Sequence, residues 1–281
     1  RALVRRLRTV PPMVLALAVV APLFPLLLAL ALLVDLLRLT RTLSTTRLML
    51  FLLVFLLIEN LGLLGLLFTF LSTRAGTRAR HARTFAIQRR YTGALLAAVR
   101  PLRFVLEQHA LAQRGPYVAL VRHASLIDVL LPGAFIANAF QLELRYVLKK
   151  ELLAEPCLDI AGNWIPNVFV GRDGTETTRA VAEVRSLKSD LGPREGVLLF
   201  PEGTRFSPER RARLLDGPER SRASALRHLL PIRPGGVLAL LDAEPACDVL
   251  FVGHHGLEGF TGLKDIWRGA LVGRTVTVRF W

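Results

Sequence analysis

The chain has 281 residues, of which 52% are hydrophobic and 7% aromatic, and its formal net charge is +15. A mean hydropathy of +0.41 argues against one plain water-soluble domain. The basic surplus implies anionic company, and without basic–aromatic interleaving or a nucleic-acid fingerprint, lipid headgroups or a phosphorylated substrate fit better than nucleic acid.

Two apolar runs come first. Met13–Val34 is interrupted only by two prolines, and Leu48–Leu71 carries just Glu59 and Asn60 as strongly polar members; a membrane-spanning helix needs roughly 20 apolar residues. The connector between them is too short to be a domain, so the pair reads as a transmembrane hairpin within an N-terminal anchor, residues 1–73. A signal peptide is the rival for the first run, but the run is long for one and a second run follows it. Arg1, Arg5, Arg6 and Arg8 precede the pair, and Arg74, Arg78, Arg80, Arg83, Arg89 and Arg90 follow it. Three arginines in the connector oppose this bias, which otherwise places both ends, and an integral membrane protein's catalytic domain, on the cytoplasmic face (the inner membrane in a bacterium). Asp35, Glu59 and Asn60 lie in or beside the runs, where polar groups are costly and glue a hairpin or line a polar path.

Residues 74–281 form the second part. From Arg74 to Leu111 the chain reads as basic, mildly amphipathic helix near a membrane surface. After Gly115-Pro116, short apolar runs recur at Tyr117–Val121, Leu144–Leu148, Asn167–Val170, Gly196–Phe200, Asp248–Val252 and Thr275–Phe280. Helix-length patterns such as Glu176–Leu191 lie between several of them, which predicts an α/β fold with a sheet flanked by helices. Ligands in such folds gather at loops beyond strand ends. Cys157 and Cys247 are far apart and not in metal-ligand spacing, so they read as reduced core thiols, with no metal implied.

Four segments at strand ends carry chemistry. In "RHASLID", His123 follows the first strand and Asp128 stands five positions on. Those two would not share a face of an ideal helix, but a strand turning into a helix can fold the ring over the first turn. The carboxylate then accepts from Nδ1 and leaves Nε2 as a base. The same segment fits the Ser-x-x-Asp capping pattern, which would make Asp128 a helix-start device. "LLFPEGTRF" ends a strand at Phe200 and offers Glu202, Gly203, Thr204 and Arg205, a turn suited to phosphate. Glu202, an anion, would fix Arg205 or accept from a hydroxyl. The bland alternative is a solvated turn with an incidental ion pair. "NVFVGRDG" places Arg172 after another strand, and "VLKKEL" places Lys149 and Lys150 after a third. His254-His255 would point to opposite faces of a strand, which favours loop or surface over a metal site. His81, His109 and His228 have no readable partner.

Together "RHASLID", "VLKKEL", "VFVGRD" and "LLFPEGTRF" resemble the glycerolipid acyltransferases, specifically the 1-acylglycerol-3-phosphate acyltransferases, in order and separation over roughly Pro116–Val252. Arg122 stands where that family usually has Asn, the stretch from Ser207 to Arg227 is longer than in short bacterial members, and Arg233 is a candidate match to a family arginine. The resemblance implies a mixed sheet flanked by helices and an acyl transfer from acyl-CoA or acyl carrier protein to lysophosphatidic acid, giving phosphatidic acid. No cofactor beyond that co-substrate is implied. His123 would be the base, Asp128 its orienting partner and Ser125 a cap rather than a nucleophile. Arg172, Arg205 and the Gly203-Thr204 turn would hold the phosphate, assisted by Lys149 or Lys150. Another lysophospholipid or glycolipid acceptor is the alternative enzyme reading. A non-catalytic protein binding anionic lipid is the reading from a different class.

Overall fold

The computed structural model describes residues 2–39, 41–99, 102–171, 177–244, 246–260, 262–270 and 272–281. They fall into two compact units. The first comprises residues 1–102, 149–166 and 262–273, and the second residues 103–148, 167–261 and 274–281. The N-terminal unit therefore does not stop at residue 73: two later segments of the chain fold with it.

In the first unit, α1 (Ala2–Leu37) and α2 (Ser44–Ser72) are long and apolar enough to cross a membrane. Both outrun the apolar stretches seen in the sequence, because polar residues at their ends have partners. Arg5 donates to Asp159 through Nε (3.0 Å) and Nη2 (2.6 Å), and Arg6 Nε adds a third bond at 3.3 Å. Asp159 belongs to α4 (Pro156–Gly162) and is fully buried. At the other end of α1, Asp35 accepts from the N–H groups of Thr45 (3.0 Å) and Thr46 (2.8 Å). The N-cap of α2 is Leu43, which has no oxygen to offer. Asp35 supplies the capping acceptor from the preceding helix, next to the positive end of the α2 dipole. Asn60 Nδ2 donates to Leu56 O at 2.8 Å and to Met13 O of α1 at 3.4 Å.

Residues 78–98 are helical as the sequence suggests, forming α3 (Arg78–Ala98). Arg80 is buried; its Nε donates to Thr73 Oγ1 at 3.1 Å, and Nη2 donates to Phe70 O at 3.1 Å and to Thr73 O. It thereby satisfies carbonyls at the C-terminal end of α2. Its guanidinium also lies 5.0 Å from the Trp164 ring centroid, within cation–π range. Glu59 is fully buried in α2 and accepts from Tyr91 Oη of α3 (2.6 Å) and from Cys157 N (3.0 Å). Gly62 leaves room for this approach: a Cβ there would lie 2.7 Å from Cys157 Sγ. Glu155, the N-cap of α4, accepts from Cys157 N (3.1 Å) and Leu158 N (2.5 Å). Burial and the neighbouring Glu59 carboxylate push its carboxyl well above the usual range. A short helix, α9 (Leu263–Trp267), completes the unit, with Trp267 Nε1 donating to Thr45 Oγ1 at 2.9 Å.

The second unit is built on a seven-stranded mixed sheet. Its strands are β1 (Arg103–Glu107), β2 (Tyr117–Val121), β3 (Glu143–Lys149), β4 (Val168–Val170), β5 (Glu195–Leu199), β6 (Asp248–His255) and β7 (Thr275–Phe280). The order is β1-β7-β6-β2-β5-β3-β4. β2 runs parallel to both β5 and β6, whereas β6 and β7 are antiparallel. Six strands coincide with runs visible in the sequence. β1 corrects the reading of residues 74–111 as one helix. Pro101 cannot continue a helical ladder, and "RFVLE" instead pairs in parallel with β7. The central strand β2 is buried at every position, the pattern of a strand covered on both faces. On one face Val118, Leu120, Val197 and Leu199 pack with residues of α5 (Thr177–Ser186) and α8 (Pro234–Leu241). Between β5 and α8 lie α6 (Pro208–Leu215) and α7 (Arg220–Ser224), which make up the long insert.

Candidate active site

The site grows from the end of β2. Arg122 N still donates to Val252 O of β6 at 2.9 Å, but His123 N turns aside and donates to Glu202 Oε1 at 3.1 Å. The chain then curls into a 3₁₀ turn, Asp128–Leu130. This non-helical curl brings together two side chains that an ideal helix would separate. His123 Nδ1 lies 3.0 Å from Asp128 Oδ1, while Asp128 Oδ2 accepts from Ala124 N and Ser125 N, both at 2.6 Å. Ser125 Oγ in turn accepts from Ile127 N at 3.1 Å. Asp128 therefore accepts backbone N–H groups with one oxygen and faces the buried imidazole with the other.

A carboxylate facing Nδ1 places the ring proton there and leaves Nε2 with its lone pair. No described residue bonds to His123 Nε2. The ring is steadied by Phe200, whose centroid is 4.5 Å away. Burial alone would raise the Asp128 carboxyl, but hydrogen bonds from His123 and His254 outweigh it and hold the group down at about 2.

The segment after β5 wraps this dyad. Gly203 has φ of +65°, and a Cβ there would sit 2.8 Å from Arg233 Cδ, so glycine meets both the backbone and the space requirement. Phe206 N donates to His123 O at 2.6 Å, and Arg205 O accepts from Arg210 Nη1 at 2.7 Å. Gly203, Thr204 and Arg205 are all partly exposed beside the dyad's own chain segment. Glu202 differs from its expected part. Its two oxygens accept from His123 N (3.1 Å) and Leu230 N (2.8 Å), and burial pushes its carboxyl upward. Those inward-facing amides would otherwise be orphaned, and sequence alone does not reveal that Leu230 returns to this point.

Two further residues, neither of them named as a site residue from the sequence, sit here. His254 lies on a strand, not on a loop or the surface, and is buried, while His255 is exposed. Its Nε2 is 3.4 Å from Asp128 Oδ2 and 3.3 Å from Arg122 O. The period of two in β6 was a usable signal for one inward histidine; its meeting with Asp128 depended on the order of strands. Arg122 donates to His254 O, to Glu258 Oε1 (2.5 Å) and to His228 O (3.1 Å), tying β6 and the insert to the end of β2. Lys149 ends β3 and Lys150 opens the 3₁₀ helix Lys150–Ala154; both belong to the first unit. Arg172 lies outside the described residues.

Residues 103–249, more than half of the chain, match the family model described as Acyltransferase, and the chain belongs to that family. Its fold is similar to the crystal structure of PlsC, the 1-acyl-sn-glycerophosphate (LPA) acyltransferase of Thermotoga maritima. The TM-score is 0.50 at 16% identity, covering 82% of this chain and 84% of that one. The likeness is one of fold: a mixed sheet flanked by helices, as the motifs imply. No curated protein sequence matches the chain.

Proposed function

We propose that the protein is a membrane-anchored acyltransferase that moves a fatty acyl group from a thioester to the free hydroxyl of lysophosphatidic acid, giving phosphatidic acid. The observation that carries this reading is the 3.0 Å pairing of His123 Nδ1 with a buried Asp128, which leaves Nε2 as the base. In the reaction His123 Nε2 takes the hydroxyl proton as the acceptor oxygen forms its bond to the thioester carbonyl carbon. Asp128 stabilises the imidazolium that results. Collapse of the tetrahedral adduct breaks the C–S bond, and the imidazolium returns its proton to the leaving thiol. The acyl group passes directly to the acceptor, and Ser125 keeps its structural task.

The acceptor's phosphate is assigned to Arg205 with the Gly203-Thr204 turn and to Arg172. Arginine grips a phosphate through two parallel bonds, and glycine admits it to the backbone. Membrane anchoring is supported by the surface of α2, where Leu61, Leu64, Leu67, Phe68 and Leu71 are exposed. An apolar surface of that kind is costly in water and is satisfied by acyl chains. The basic flanks of both helices support a cytoplasmic catalytic domain.

Purified protein given oleoyl-CoA or an acylated carrier protein, with lysophosphatidic acid, is expected to release thiol. His123→Ala is expected to lose at least ~10² of that rate. A diester acceptor such as lysophosphatidylcholine should be poorer than the phosphomonoester, and equal rates would move the assignment to another acceptor. Liposome binding without thiol release on any acceptor would instead favour a lipid-binding protein without catalysis.

A further inference from the structure

His254 is placed where the family motifs assign nothing. It lies on β6, which pairs with β2 in register up to Val252 opposite Val121, so the two strand ends emerge side by side. The side chain of His254 has no exposed surface, and neither has that of Asp128. Its Nε2 stands between two atoms that only accept: the Arg122 carbonyl at 3.3 Å and Asp128 Oδ2 at 3.4 Å. The Nε2 proton is therefore fixed by geometry, because a bare Nε2 would set one lone pair against two others. Nδ1 is buried and has no partner among the described residues. Arg122 closes the arrangement by donating to the carbonyl of His254.

We propose that His254 is a positioning residue of the acyl-transfer site, its Nε2–H holding the Asp128 carboxylate and the Arg122 carbonyl so that Asp128 presents Oδ1 to His123. The inference rests on the reading of His123 as the base. With Ala124 N and Ser125 N on the same oxygen, the third donor stops the carboxylate from rotating about its bond to Cβ. The charged and titratable groups around His254 are Arg122 and His123 from the end of β2, Asp128 from the 3₁₀ turn and Glu202 on the His123 amide. Glu258, which pairs with Arg122 at 2.5 Å, completes the set. His255 points away and lies 3.5 Å from Glu258.

The test compares His254→Phe, which keeps a planar ring and removes the donor, with His254→Gln, which restores an N–H. In the phenylalanine variant thiol release is expected to fall about 10-fold to 100-fold in kcat, with KM for the acceptor changed less than about threefold. The glutamine variant should recover most of the rate. A folded phenylalanine variant with wild-type kcat overturns the proposal. Should that variant fail to fold, nitrogen-15 NMR of the histidine rings in the wild-type protein decides. A His254 protonated at Nε2 supports the assignment, and one protonated only at Nδ1 overturns it. The ring spectrum does not depend on acyl transfer, so a wild-type protein inactive on every acceptor sinks the function while the placement of His254 is still judged.

Discussion

Glu59 and Asp128 are both carboxylates with no exposed surface, one in each compact unit, and their partners differ in kind. Around Glu59 stand a tyrosine hydroxyl, a backbone amide and a second carboxyl, Glu155, that burial keeps protonated. Nothing in that set has a free nitrogen, and the group works as a clasp between α2, α3 and α4. Around Asp128 stand two imidazoles and two amides, and among the described residues His123 Nε2 and the buried His254 Nδ1 have no partner. Burial of a carboxyl group thus does not mark chemistry by itself; what the group is bonded to decides whether a proton can be handed on.

Exchanging each carboxylate for its amide is the sharpest way to break this comparison. Asp128→Asn is expected to lower thiol release by at least ~10², because an amide no longer fixes the Nδ1–H tautomer. Glu59→Gln, assayed on folded protein, should stay within about threefold of wild type; a comparable loss in both would erase the distinction. Next in size is Glu202→Ala, which strands the buried amides of His123 and Leu230. At ~1–3 kcal/mol for each unmet donor, thermal or denaturant unfolding should show a loss of several kcal/mol, and an unchanged midpoint would refute the bracing role.

The smallest effect is in pH, and its sign differs between the units. Asp128 is held at about 2 against an ordinary 3.8, so its contribution is complete above 3.8 and is lost as pH falls through about 2. That contribution is about 2 kcal/mol. Glu155 is displaced upward from 4.5, so its contribution is complete below 4.5 and declines as pH rises toward its folded value. Hydrogen exchange measured by mass spectrometry should show acid loosening residues 123–128 and alkali loosening residues 155–158. Asp128→Asn and Glu155→Gln should each abolish only its own trend.

Much of the catalytic unit was legible because its signals are local. Uninterrupted apolar runs marked six strands, and "RHASLID" already held both members of the dyad. β1 was hidden because "RFVLE" sits in a basic, mildly amphipathic stretch and becomes a strand only against β7, near the other end of the chain. Glu202 was misjudged for a related reason. Its acceptors are spoken for by amides that strand order brings near, and spacing along the chain carries no trace of that. His254 shows the limit most plainly: alternation says it points inward, but only the adjacency of β2 and β6 says toward what. Arg5 and Arg6, read as topology charges, also serve Asp159 as ion-pair partners.

The insert between β5 and α8 is riveted close to both of its ends, by Phe206 N on His123 O and by Leu230 N on Glu202. Residues between those rivets can therefore be lengthened, shortened or recomposed while the imidazole stays in place. Variation along this loop leaves intact the two bonds that brace the chain segment carrying His123.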